Sequence, residues 1–416
     1  LTKVNSRETG AAEKNLHTFK EETLGYRIIM AGAGLGGLAA AANLLEAGHD
    51  VTIYEQAPQL GEVGAGIQMS ANAMHVLKKL GVADQIVEIG VKPGAYVFRA
   101  FDTGEEIQRF ALAQEHERMH GAPYVQIHRA DLHEILAAKV YSLKKDAIKL
   151  NHRATHFVED DKGVTLHFEN GEKAQGDLLI GADGLKSVVR RQIAGPVPAT
   201  YTGDAAWRLT VPIENLPKDI MEPVMSVFMG PGKHVVMYYL RAGKLLNFVG
   251  LVETDDVSEE SWTAKFPWET LKADFVGWHE MIQTVIDRCD RDACYRWSLH
   301  GRPHIETWST QRATILGDAA HPTLPYLAQG AVMAIEDGMV LTRALAQCAN
   351  IQDAIGVYER ARQERTRRIV TQSSANRTLF HLHSIEESKA QFAKRNEGED
   401  RNRWLYSYNP LTVPLA

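Results

Sequence analysis

RIIMAGAGLGGLAAAANLLEAGHDVTIYE, residues 27–55, carries the parts of a βαβ nucleotide-binding unit in their working order. The apolar residues 28–31 read as a buried parallel strand. Gly32-x-Gly34-x-x-Gly37 follows at once: the first glycine allows a tight turn, the second lets backbone approach a pyrophosphate, and the third lets helix pack closely on strand. The helix that opens there aims its free N–H groups and positive dipole end at phosphate. A second strand, 51–54, ends at Glu55, about 20 residues beyond the glycines, where a carboxylate can accept hydrogen bonds from both ribose hydroxyls and disfavours a 2′-phosphate. The competing reading of residues 28–45 as a membrane span is weakened by four glycines, by Asn43 and by the lack of flanking basic anchors. The motif alone fits FAD and NAD equally.

Length and composition bound the rest. A chain of 416 residues, 44% hydrophobic and 24% charged, has room for two or three packed units of ordinary globular character. A net charge of −6 offers no footprint for nucleic acid or an anionic membrane. Three cysteines, Cys289, Cys294 and Cys348, form an odd set without CxxC spacing, which suits a reducing compartment, and a cytoplasmic location is expected. Residues 1–25 are polar, lack the apolar region of a signal peptide, and are expected to be a flexible N-terminal segment, trimmed or partial since it opens on Leu1.

Further junctions of the same kind lie downstream. GEVGAGIQ holds Gly61, Gly64 and Gly66 in a loop that suits backbone lying against a flat ligand, ahead of a helix with Ala73, Val76, Leu77 and Leu80 on one face. Residues 124–128 read as a strand, Asp131-x-x-Glu134 as a capping box, and Arg129 between them as a guanidinium placed for pyrophosphate. Residues 177–181 are a strand running into Ala182-Asp183-Gly184 and a helix with Ser187 and Arg190. Residues 313–316 are another, ending in Gly317-Asp318, a single carboxylate among small residues in the crevice where open α/β sheets bind ligands. Ala328-Gln329-Gly330-Ala331 then opens a long helix, with Val332, Ile335 and Met339 inward, whose dipole can stabilise a negatively charged ring.

MSVFMG, HVVMYYL and LLNFVGLV within residues 201–251 read as three antiparallel strands with turns at Gly230-Pro-Gly232 and Ala242-Gly243. The two-residue period puts His234, Val236, Tyr238 and Leu240 on one face and Val235, Met237 and Tyr239 on the other. An imidazole and a phenol sharing a face can roof a small aromatic acid, or can be a polar pair on a partly exposed sheet. His116-x-x-x-His120 has helical metal-ligand spacing but no third ligand nearby, so it reads as a surface pair and no metal site is expected. Residues 358–377, rich in arginine, read as a helix with a solvated face. Trp404, Tyr406 and Tyr408 are expected to pack the tail on the body.

Gly32 to Gly37, Gly181-Ala-Asp183-Gly184 and Gly317-Asp318-Ala-Ala-His-Pro322 stand in the order and spacing of the three motifs of the single-component (group A) FAD-dependent aromatic hydroxylases, and the chain resembles that family over about residues 26 to 410. GEVGAGIQ, IHRADLH, GDAAHPTLPYLAQGAVMAIEDG and WLYSYNP are similar to the salicylate hydroxylase, 3-hydroxybenzoate 6-hydroxylase and 6-hydroxynicotinate 3-monooxygenase subgroup. The resemblance implies an α/β fold like that of para-hydroxybenzoate hydroxylase: a Rossmann-like FAD-binding domain (residues 26–94, 122–200 and 300–350), an inserted antiparallel-sheet substrate domain (95–121 and 201–299) and a C-terminal helical region (351–416). It further implies non-covalent FAD, NADH or NADPH as a transient reductant, and O2. Cofactor contacts would come from Gly32, Gly34, Leu35, Gly37, Glu55, Gly66, Arg129, Asp183, Asp318, Gly330 and Ala331. Expected partners are a small aromatic acid and no nucleic acid or membrane, and a homodimer is admitted.

Related enzymes place a His and a Tyr at the spacing of His234 and Tyr238 against the substrate, and others use an arginine at the position of Arg208 with a tyrosine near Tyr238 or Tyr239. Gln68 follows GAGI, where the hydroxynicotinate enzymes have histidine. Pro325 stands where some 3-hydroxybenzoate 6-hydroxylases have glutamine, as in the salicylate and hydroxynicotinate enzymes. The expected reaction is hydroxylation of a phenolic acid through a flavin C4a-hydroperoxide, with decarboxylative conversion of salicylate to a catechol as first choice. Ring hydroxylation without CO2 loss, of 3-hydroxybenzoate or 6-hydroxynicotinate, is the alternative. A remoter one is a non-hydroxylating FAD or NAD oxidoreductase, while the WxWxIP signature of flavin halogenases is absent.

Overall fold

The computed structural model describes residues 25–61, 65–256, 264–396 and 402–415. The N-terminal segment and Gly64 therefore fall outside the described residues, Gly25 excepted. Five parallel strands form the first sheet, in the order Ala313–Ile315, Leu178–Gly181, Arg27–Ala31, Asp50–Tyr54 and Ile148–Lys149. Apart from the exposed Arg27 at one end, its central strands are apolar because helices cover the sheet. Leu35–Glu46 packs against both Arg129–Leu143 and Gly330–Gln347. The alanine-rich composition of the first of these has a steric cause. A Cβ on Gly36 would lie 2.7 Å from Ala334 Cβ, and one on Gly338 would lie 2.6 Å from Ala40 Cα, so the two helices touch almost backbone to backbone.

A second, seven-stranded sheet runs Tyr295–Gly301, Thr200–Pro212, Leu245–Glu253, Lys233–Leu240, Met225–Gly230, Ala95–Ala100 and Glu106–Ala111. The three expected strands form its centre, paired antiparallel. One pair departs from that pattern: Met225–Gly230 lies parallel to Ala95–Ala100. One face of this sheet buries Trp207, Val235, Met237 and Phe248 against Phe275, Ile282 and Ile286. The other face, carrying His234, Val236 and Tyr238, turns toward the nucleotide-binding half. A small antiparallel sheet, Ala154–Asp160, Gly163–Phe168 and Lys173–Gly176, had no counterpart in the sequence reading.

Three local expectations are corrected. The helix after the 125–128 strand starts at Arg129 with His128 as its N-cap, so Asp131 lies inside the first turn and does not cap. Its carboxylate instead takes a bidentate pair of hydrogen bonds from Arg241, at 2.9 and 2.8 Å. His116 and His120 are buried: Ala71 N–H donates to His116 Nε2, and His120 Nδ1 pairs with Ser407 Oγ, so they clamp the chain internally. The arginine-rich helix, Ile351–Phe380, is only partly solvated. Arg362 is wholly buried between Glu336 and Asp337 at 2.7 Å each, and Arg365 grips Glu336 at 2.7 and 2.8 Å. Arg365 and Arg368 also lie over the rings of Tyr408 and Trp404, at 3.7 and 3.8 Å, so the aromatic tail packs on the body. Among the described residues no helix is long and apolar enough to cross a membrane.

Candidate active site

A cavity of about 1090 Å³ runs from the glycine loop to the open face of the seven-stranded sheet. Gly34, Leu35 and Gly37 line its far end. A Cβ on Gly34 would meet no atom within 4 Å, so bare backbone faces open space there. Gly32 and Glu55 stand behind this surface. Gly32, at φ +102°, closes the turn with its N–H on Tyr54 O, and Glu55 accepts from Ala33 N–H at 2.8 Å and Ala57 N–H at 2.9 Å. The carboxylate thus ties down the loop.

Arg129, Asp183, Asp318, Gly330 and Ala331 border the middle of the cavity. Asp183 is anchored by Ser187 Oγ–H and by the N–H groups of Val188 and Val189. Surrounding protein pushes the Asp318 carboxyl up from its usual range, while His321, Arg129, Arg302 and Arg190 pull it down. Those arginines, the exposed glycine backbone and the start of the 330–347 helix together suit an anionic diphosphate and a ring that takes on negative charge. The residues fit a flavin dinucleotide along the cavity.

At the near end the sheet supplies His234, Tyr238 and Arg208, joined by Gln68 and Pro325. Gly66 sits directly over Tyr238: a Cβ there would come 2.4 Å from the ring. Burial raises the Tyr238 phenol, opposed by Arg208 and by a hydrogen bond with Gln68. The Arg208 guanidinium lies 4.5 Å from the centre of the Trp297 ring. Tyr239 does not reach this space. Strand alternation turns it to the opposite face, where its hydroxyl donates to Met221 O at 2.6 Å, so its expected substrate contact is withdrawn.

His234 is 1% exposed and its Nδ1 lies 2.8 Å from His381 Nε2. His381 Nδ1 in turn lies 2.8 Å from Glu253 Oε1. Burial, then His381, hold the His234 imidazole well below the usual histidine range, and burial also lowers His381 against the pull of Glu253. Both shifts favour the neutral rings. Sequence reasoning did not find His381, Glu253 or Tyr326, which also lines the cavity. Tyr326 follows Pro325 directly, so the motif was a usable pointer to it, whereas nothing local to residues 253 or 381 marks them.

A model of the FAD binding domain matches residues 26–373. The chain belongs to that family. It is 37% identical to 3-amino-4-hydroxybenzoate 2-monooxygenase of Streptomyces cremeus over 91% of this chain and 94% of that one. It is 34% identical to 3-hydroxybenzoate 6-hydroxylase of Polaromonas naphthalenivorans over 92% and 96%. Among solved structures, Klebsiella pneumoniae HpxO complexed with FAD and uric acid superposes with a TM-score of 0.79 at 28% identity, covering 89% of this chain and 93% of that one. As a member of the family the chain is a flavoprotein aromatic monooxygenase, with FAD as cofactor and NAD(P)H and O2 as co-reactants. Its fold is the mixed α/β hydroxylase fold with C-terminal helices.

Proposed function

We propose that this enzyme hydroxylates the ring of a small benzoic acid whose phenolic hydroxyl lies meta or para to the carboxylate. The placement of His234 and Arg208 carries the reading. They share the cavity face of the sheet but are offset by one intervening strand, Leu245–Glu253, and by two residues, because His234 pairs through Leu251 with Ala206, and Arg208 through Val249 with Val236. Standard sheet spacings put their backbones roughly 12 Å apart. Side chains reaching inward from both ends leave room for one ring between an imidazole and a guanidinium. Ortho substituents, as in salicylate, lie side by side and engage one end only. The names of the two relatives above carry meta- and para-hydroxy acids, which agrees.

Bound FAD supplies reduction by NAD(P)H and delivery of an electrophilic oxygen to the ring. Residues of this chain prepare the ring for that attack. Neutral His234 takes the phenolic proton, which makes the carbons ortho and para to the oxygen electron-rich. Arg208 holds the carboxylate, Tyr238 and Gln68 fix the plane, and the apolar walls of Val236, Val249 and Leu251 exclude water. Gly34, Leu35, Arg129, Asp318 and Gly330 would hold the cofactor.

The test is an assay of holoenzyme with 3-hydroxybenzoate, 4-hydroxybenzoate, salicylate and 6-hydroxynicotinate, following ring product and CO2. Hydroxylation of a meta- or para-hydroxybenzoate without CO2 is expected, and His234→Ala should lower coupled hydroxylation by about 10²-fold or more with FAD still bound. Turnover of salicylate alone with CO2 release reverses the assignment in favour of the decarboxylating reaction, to which Pro325 in the cavity wall points.

A further inference from the structure

Beyond the cavity, a line of three titratable side chains leads to the surface. His234 lies on strand Lys233–Leu240, Glu253 ends strand Leu245–Glu253, and His381 sits just past the Ile351–Phe380 helix. The contacts are 2.8 Å each, and exposure rises along the line, from 1% at His234 and 3% for the His381 side chain to 42% for that of Glu253. We propose that His234, His381 and Glu253 form a proton path that carries the phenolic proton of the bound aromatic out of the cavity to solvent. The proposal rests on reading the cavity as the phenol site.

Hydrogen-bond polarity orders the path. An ionised carboxylate only accepts, so His381 Nδ1–H donates to Glu253 and its Nε2 keeps a lone pair. That lone pair must accept from His234 Nδ1–H, which leaves His234 Nε2 as the acceptor for the substrate. Glu253 at the surface thereby sets the tautomer of a ring two residues deeper. When the phenol O–H breaks, a bond to His234 Nε2 forms. The Nδ1 proton of His234 passes to Nε2 of His381, the Nδ1 proton of His381 passes to the Glu253 carboxylate, and from there it enters water. One proton leaves and each ring ends in its other tautomer. Return of a proton along the same line, when the product phenolate is protonated, restores both.

Other groups facing the line keep it in register. Arg377 binds both oxygens of buried Asp204, at 2.6 and 2.9 Å, and reaches Glu253 at 3.2 Å. Tyr326 donates to Asp204 at 2.7 Å and sets its ring, tilted by 42°, 5.5 Å from that of His234. Asp204 is thus committed to Arg377 and Tyr326, leaving Glu253 as the carboxylate that His381 meets. Burial on both sides makes an imidazolium at His234 or His381 costly, so a proton received there is driven onward.

Proton release is the readout, since a merely structural role leaves it unchanged. FAD-loaded enzyme is mixed in a stopped-flow with 3-hydroxybenzoate as the probe in weak buffer containing a pH indicator, and substrate-dependent proton release is timed. His381→Gln keeps an acceptor for His234 but cannot relay, and Glu253→Gln keeps the acceptor for His381 but cannot take up the proton. Release should slow by about 10-fold or more in His381→Gln and also in Glu253→Gln, whose site is too exposed to endanger folding, with the FAD spectrum unchanged in both. Wild-type release in both variants overturns the path. If His234→Ala alone slows release, the base assignment stands and the path falls; if His234→Ala is also normal, the phenol-site reading falls with it.

Discussion

Two polar clusters meet the 351–380 helix, one through Arg362 and Arg365 within it and one through His381 just past its C-terminal end, and they are built to opposite ends. In the first, Arg362 and Arg365 are locked to Glu336 and Asp337, with Asn72 on Glu336 and His321 on Asp337. The four acidic and arginine side chains are 8% exposed or less, and Arg362, Glu336 and Asp337 show no surface at all. In the second, the Glu253–His381–His234 line, one end opens to water and the other to the cavity. A sealed network holds charges in place, and a graded one lets a charge travel. Sealing therefore marks a stability element here, and gradation marks a moving proton.

Breaking the sealed cluster should have the largest effect. Arg362→Ala removes the buried guanidinium that Glu336 and Asp337 share and leaves each with fewer partners, and a loss of about 3 kcal/mol of folding stability is expected by chemical denaturation. If that variant is as stable as wild type, the cluster is not the clamp described. Next comes acid. Burial raises Asp337, but His321 and Arg362 outweigh it and leave the carboxyl at about 2 against an ordinary 3.8. A depressed folded value means stability that is full above the unfolded pKa and lost as pH falls through the folded one, so about 2 kcal/mol should disappear between about pH 4 and pH 2. Urea midpoints across that range, compared with Asp337→Asn, measure it. Glu253→Gln should be the smallest in stability, under about 1 kcal/mol, because its ion pair with Arg377 is partly exposed. That variant sharpens the contrast by changing proton release with hardly any change in melting.

Legibility followed the range of the interaction. The glycine loop and the 330–347 helix could be read because close approach of backbone is written in the local residue types, as the contact of Gly36 with Ala334 illustrates. The cavity face of His234 and Tyr238 could be read because strand alternation is also local. Tyr239 was assigned on a resemblance that admitted either neighbour, and alternation placed it on the far side. Asp131 looked like a cap because its partner, Arg241, is 110 positions away. The arginine-rich helix looked solvated for the same reason, since Glu336 and Asp337 belong to another helix. His381 meets His234 across 147 positions and Glu253 across 128, and no short window contains that meeting.

The strand order of the parallel sheet also dictates when the protein can finish during its synthesis. Leu178–Gly181 is complete long before its outer partner, Ala313–Ile315, which follows about 130 residues later, or on the order of 10 s at ordinary elongation rates. For that interval a short, wholly apolar strand stands as an unpaired edge. The helix that covers the glycine loop, Gly330–Gln347, emerges later still. The whole of Thr200–Gly301 is made within the gap, so every strand of the second sheet has been synthesised before the first sheet can be completed.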